Sequence, residues 1–356
     1  MPNKTPNWRK MSLRDVNAQM IRRQFSEWSA GAGVRWRKLL LSLGIDLTGK
    51  TVTVIGPPPL EHDSRPASQS MPTLERGARL EVGGLAITTA GILLIATLVQ
   101  MLILSPVFFF KQQQILFTDF RYQLANATAP VGQVDQNDLM IVPGSPVAII
   151  DIAAINVHQV VVEGTDSLSL MSGPGHRRDT PLPGQYGTSV IYGRQFTYGG
   201  PFGRIGELPL GSKINVTTGQ GKSTYSVYDI RYSGDPLPES NTQGGRLTLV
   251  SAAGIPFAPN TVVRVDAKLM SDPKVTPAQM FSIESLSDAE APLAGDTGGF
   301  ALLALQLVFE LVIVFLMALS FRYWGPRQTW VVATPLLLAL GIAIGIQTAT
   351  ILPNLL

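Results

Sequence analysis

The sequence has 356 residues, of which 45% are hydrophobic and only 15% charged, with a formal net charge of +3 and no cysteine. Soluble domains carry roughly a quarter charged residues, so this balance and the mean hydropathy of +0.20 are those of a membrane protein. The absence of cysteine excludes any thiolate nucleophile.

Residues 1–82 read as a basic cytoplasmic arm. Within it, Ile21, Phe25, Trp28, Val34 and Trp36 are interleaved with Arg and Lys over 20–43. That stretch suits an anionic membrane surface, or it is a solvated arm that only fixes topology, because 29–33 (SAGAG) interrupts a helix. Residues 56–74, rich in Pro and Ser, read as a linker. The first apolar window, 84–110, holds no charge and is closed by Lys111. At about 1.5 Å per residue it crosses a hydrocarbon core of roughly 30 Å, which places a transmembrane helix at 83–110. A juxtamembrane helix and linker follow over 111–145: Ile115, Leu116, Phe117, Phe120 and Leu124 recur at helical spacing, and Pro130 stops the pattern.

Over 146–270 the pattern changes to short β-branched runs separated by Gly, Pro, Asn and Asp turns. Two strands are expected in 146–164, and others at 188–192, 213–218, 224–232, 247–251 and 261–269. Many short strands without intervening long helices imply an antiparallel barrel or sandwich. The stretch 217–221 (TTGQG) is a hairpin turn by this reading. Residues 271–298 look like a tether. Two further apolar windows, helices at 299–321 and 329–352, flank a cytoplasmic turn at 322–328. The basic residues before the first window, from Lys4 to Arg79, put the amino terminus in the cytoplasm and the strand-rich region outside, and Arg322 and Arg327 agree.

Several ordered blocks of the strand-rich region resemble sortases, most closely the actinobacterial class E type. They are 151–164 (DIAAINVHQVVVEG), 173–194 (GPGHRRDTPLPGQYGTSVIYGR), 197–221 (TYGGPFGRIGELPLGSKINVTTGQG), 245–252 (GRLTLVSA) and 261–269 (TVVRVDAKL). The resemblance implies a mainly β protein, a sortase-like closed β-barrel on the outer face with three transmembrane α-helices, at the cytoplasmic membrane. Sortases use a Cys nucleophile, a His and an Arg. The matching positions here are Ala252, Arg194 and Arg264, so one of the three survives. Alanine offers no nucleophile and arginine accepts no proton at working pH. No catalytic residue is therefore expected, and the implied role is a pseudoenzyme scaffold.

The alternative is a transpeptidase or hydrolase with a replaced nucleophile, Ser251 with His176. Strand alternation weakens it, because Ser251 should face away from the groove that Ala252 faces. Arg194 and Arg264 about Ala252 would suit an extended peptide or a segment of another membrane protein; paired with acids such as Asp179 or Asp235, they would be structural. Tyr192, Phe196, Tyr198 and Phe202 near the rim are either core or binding surface. In the membrane hairpin, Gln306, Glu310, Gly341, Gly345 and Gln347 form a candidate assembly seam, within the three spans or with a partner in an oligomer or hetero-complex. No metal, cofactor or nucleic acid is expected, and Asp119, Asp135, Asp138 and Asp151 are too scattered to suggest calcium.

Overall fold

The computed structural model describes residues 76–236, 238, 244–255 and 258–356; the basic stretch 20–43 and the linker 56–74 lie outside the described residues. The first helical rod joins α1 (Arg76–Val99) through a π turn (Gln100–Leu104) to α2 (Ser105–Ala125) without a break. The sequence suggested a span ending at 110 and a separate helix beyond it. The two merge because 111–114 (KQQQ) are good helix formers that carry the chain across the polarity change. Pro106 lacks an amide N–H, and the wide turn just before it absorbs the irregularity. There the Ser105 amide donates to the Gln100 carbonyl, and the Ser105 hydroxyl donates to Met101 O at 2.6 Å.

Eight strands form a closed barrel in the order β1-β2-β3-β4-β7-β8-β6-β5. They are β1 (Pro146–Ile152), β2 (Val157–Glu163), β3 (Gly175–His176), β4 (Gly187–Tyr192), β5 (Lys213–Thr218), β6 (Gly221–Arg231), β7 (Gly245–Ile255) and β8 (Ala258–Leu269). The β1–β5 pairing closes the ring, with Ile150 opposite Val216. The expected strands are all present. The expected turn at 217–221 is the β5–β6 hairpin, where Gly221 takes φ +105°. Strand β3 and the short helix α3 (Ser167–Ser172) had no periodic signal, since two and six residues are too short to show one. The barrel core includes Val147, Ile150, Ile191, Phe202, Tyr225, Leu247, Leu249 and Val265. Each such aliphatic side chain contributes about 1.5–3 kcal/mol by leaving water.

The tether 271–298 is pinned along the barrel wall, although its composition suggested a free linker. Lys274 N donates to Gly184 O at 2.7 Å, Gln133 Oε1 accepts from the Met280 and Phe281 amides, and the Arg178 guanidinium lies 4.1 Å from the Phe281 ring centroid. The barrel's exposed backbone groups give an otherwise unpatterned segment its partners.

Helix α4 (Phe300–Trp324) and helix α5 (Pro326–Ile351) form the hairpin. The expected turn at 322–328 contracts to Gly325, whose φ of +87° ends one helix while Pro326 begins the next. Segments Ala86–Ala125, Thr297–Phe321 and Pro326–Ile351 are long and apolar enough to cross a membrane. Leu305, Val308, Leu311 and Phe315 on α4 are exposed, as suits helices solvated by lipid.

The expected assembly seam divides. A Cβ on Gly341 would lie 2.5 Å from Ala96 Cβ, and one on Gly345 2.9 Å from Gln100 Cγ, so both glycines serve the α1–α5 contact within the chain. Gln347 donates to Gly299 O at 3.2 Å and braces the start of α4. Among the described residues, Gln306 Oε1 is buried without a partner. Glu310 is half-buried and has no hydrogen-bond partner among the described residues. Gly341 and Gly345 thus serve the within-chain alternative, whereas Gln306 and Glu310 lie on the other helix of the hairpin, α4.

Candidate functional site: the groove over Ala252

Strand β7 has two unlike faces. Leu247 and Leu249 point into the barrel core, whereas Val250 and Ala252 point outward into a second cluster with Leu170, Tyr192, Val262 and Leu355. This follows from the pleat, which sends successive side chains to opposite sides. Ser251 lies on the inner side, fully buried, and its hydroxyl donates to Gly193 O at 2.9 Å. The hydroxyl therefore faces away from the groove, as alternation requires.

Arg264 on β8 pairs with Val250, two residues from the Ala252–Val262 pair, and shares the outer face. Its side chain is half-buried. Burial raises the Tyr192 hydroxyl pKa, and the charges of Arg177 and Arg264 oppose the shift.

Arg194 departs from the expected open groove lined by two cations. It sits on the loop after β4 and is 1% exposed. Its Nη1 donates to Thr197 Oγ1 at 3.1 Å and its Nη2 to Ser167 O at 2.9 Å, and the guanidinium lies 5.1 Å from the Tyr198 ring centroid. Burial brings its pKa down to about 10, with Tyr198 and Asp166 opposing, so it stays protonated at neutral pH. Neither acid proposed as a mate reaches it: Asp179 pairs with Arg177 at 2.8 Å, and Asp235 accepts from Tyr232 N at 2.7 Å.

The loop carrying Arg194 is buried by three neighbours. Tyr198 adopts φ +50°, uncommon for a non-glycine residue, and its amide donates to Ser105 Oγ at the helical junction, 3.3 Å. Gly199 at φ +77° leaves room for the Phe109 ring, which a Cβ would approach to 2.7 Å. Tyr192, Tyr198 and Phe202 are core residues, and Phe196 alone of that aromatic group is exposed.

The third neighbour is the end of the sequence. Gln195 N donates to Leu355 O at 2.8 Å, and the Phe196 and Thr197 amides donate to Leu356 O at 3.2 and 2.9 Å. The Thr197 hydroxyl adds a bond to Leu356 O at 3.0 Å. Asn354 Nδ2 reaches the carbonyls of Thr165 at 2.8 Å, Ala291 at 3.0 Å and Ala289 at 3.3 Å. Segment 353–356 thus lies in the groove with Leu355 against the face that carries Ala252. No local pattern marks this, because the contacts span more than a hundred residues.

His176 lies two strands from Ser251, with β4 between them. Its Nδ1 is 2.9 Å from Glu163 Oε2 and its Nε2 is 3.1 Å from Pro181 O, so both ring nitrogens are engaged away from the serine. Among the described residues, no three His, Asp or Glu side chains are gathered as a metal site.

Residues 150–264 match the family model of the sortase domain. The chain contains a sortase domain. Sortase D of Bacillus subtilis (strain 168) is 34% identical over 84 residues, 24% of this chain and 41% of that protein, so the match spans about two fifths of the relative's length. Among solved structures, the Clostridium perfringens sortase D5 transpeptidase has 23% identity and a TM-score of 0.39, with 45% of this chain and 99% of that chain covered. Sortase E from Streptomyces avermitilis has 26% identity and a TM-score of 0.32, covering 36% of this chain and 91% of that chain. The matched stretch of the sortase domain runs from the middle of β1 to Arg264 and includes Arg194, Ser251 and Ala252.

Proposed function

We propose that this chain is a membrane-anchored, non-catalytic member of the sortase group, which holds a peptide or a partner protein's segment at the outer face of the cytoplasmic membrane. The observation that supports it most is Ala252, on the outward face of β7 where the sequence blocks of sortases carry their cysteine. Transpeptidation there needs a nucleophile to form the acyl bond and a base to take its proton. A methyl group and a protonated arginine supply neither. Ser251 faces the barrel interior, and His176 is tied to Glu163.

In this reading the amino-terminal arm is cytoplasmic, following the clustered Lys and Arg, and the three apolar helices hold the barrel against the outer leaflet. Its partners are an extended peptide or another membrane protein.

The test is to incubate the full chain in lipid nanodiscs with a labelled extended peptide and an amine acceptor. The expected result is no cleavage and no mass added to the protein. Turnover that disappears in Ser251→Ala or His176→Ala would instead establish the replaced-nucleophile mechanism.

A further inference from the structure

We propose that the groove over Ala252 is a peptide-binding site filled in cis by segment 353–356. The ligand that exchanges for it is an extended peptide presenting two successive apolar side chains behind a short hydrogen-bond-donating one. This inference rests on the non-catalytic reading and specifies its ligand class.

The resident segment is held as a ligand would be. Its main-chain oxygens at Leu355 and Leu356 accept from three consecutive amides, Gln195 to Thr197. Such main-chain bonds accept any sequence, while pockets between them select side chains. One pocket holds Leu355, fully buried among Leu170, Tyr192, Val250, Ala252 and Val262. Ala252 forms part of its wall, so a larger side chain there would compete for the space Leu355 fills. A second pocket presents the carbonyls of Thr165, Ala289 and Ala291 to the Asn354 amide nitrogen. Three acceptors converging on one position call for a donor.

The fit is also imperfect in a way that favours exchange. Among the described residues, Asn354 Oδ1 is buried without a hydrogen-bond partner, and so are Arg194 Nε and Ser167 Oγ on the groove wall. Unpaired buried polar atoms destabilise the state that contains them. A peptide whose donor side chain leaves no orphan acceptor, and which offers an acceptor to Arg194, would satisfy more of the site than the resident segment does. Segment 353–356 follows α5 directly, with Leu352 capping the helix. Exchange would therefore free the end of a membrane helix from the barrel.

The experiment uses the full chain in nanodiscs and a fluorescent peptide of residues 349–356 (ATILPNLL) added in trans. A short tether gives the cis segment an effective concentration in roughly the millimolar range. The peptide should therefore bind the Leu355→Ser/Leu356→Ser variant at least about tenfold more tightly than the unaltered chain, and adding Ala252→Phe should abolish that gain. A folded double variant that binds no better, or binding indifferent to Ala252→Phe, overturns the proposal. An Ala252→Cys/Leu355→Cys variant gives an independent reading, since the chain has no cysteine to compete. Mild oxidation should form a disulfide, and added peptide should slow its formation; no disulfide overturns the proposal. Cleavage of bound peptide would sink the non-catalytic reading and leave the binding site intact. Failure to bind, without cleavage, would sink only this inference.

Discussion

Two of the buried arginines of this barrel, Arg231 and Arg194, are treated oppositely. Arg231 on β6 meets Asp266 at 2.6 Å, and Asp266 also accepts from the Thr248 hydroxyl at 2.7 Å. The hydrogen bond to Asp266 is the main reason the Arg231 pKa rises. Arg194, beside the groove, has a hydroxyl, a carbonyl and an aromatic face, but among the described residues it has no ion pair and its Nε is unpaired. Its pKa falls. A cation that only braces a barrel is paired within it; one left with neutral partners retains electrostatic attraction for a group that arrives from elsewhere.

The largest expected effect lies at the paired end. Asp266→Ala leaves Arg231 buried and uncompensated and should cost about 3–5 kcal/mol, read from hydrogen exchange of the β6 and β8 amides. A loss below about 1 kcal/mol would break the comparison. At the unpaired end, Gly193→Ala drives a Cβ into the Phe202 ring. Overpacking of this kind costs about 1–3 kcal/mol, and exchange protection should fall in the loop after β4 while β6 and β8 keep theirs.

The buried base His176 sharpens the contrast through pH. Burial, the largest single influence, would lower the His176 pKa, but Glu163, the Pro181 carbonyl and Asp179 together outweigh it and the net shift is upward from 6.5. The stabilisation is therefore fully present below about pH 6.5 and lost as pH rises through the higher folded value. Unfolding midpoints measured across that window should decline, and His176→Gln should remove this part of the decline. The smallest effect belongs to Arg194→Met, which replaces an unmated charge by an apolar side chain of similar length. Stability should change by less than about 1 kcal/mol or rise, as thermal unfolding would register; a loss of several kcal/mol would place Arg194 with Arg231 as a structural cation.

Ala252 and Ser251 show how far a strand can be read in advance. Period-two alternation by itself assigns them to opposite faces, and the pairing Ala252↔Val262 places Arg264 on the outer face with Ala252. Arg194 resisted the same treatment. It lies just past β4, where alternation ends, and its burial comes from Tyr198, the α1–α2 junction and segment 353–356. The membrane residues divide likewise: Gly341 and Gly345 were legible as a close-packing pair, but not that α1 would be their neighbour.

By itself the sequence determined three apolar helices, the strand-rich region between them, the outward face of Ala252 and the lack of any thiol. Apolar length, alternation and composition are local properties, and each residue carries its part wherever it sits. Only the tertiary structure decided that 271–298 clings to the barrel, that Arg194 is enclosed and that Leu355 lies over Ala252. Those outcomes depend on which backbone donors and acceptors the barrel leaves unpaired at its rim, and on which distant segments are within reach to meet them.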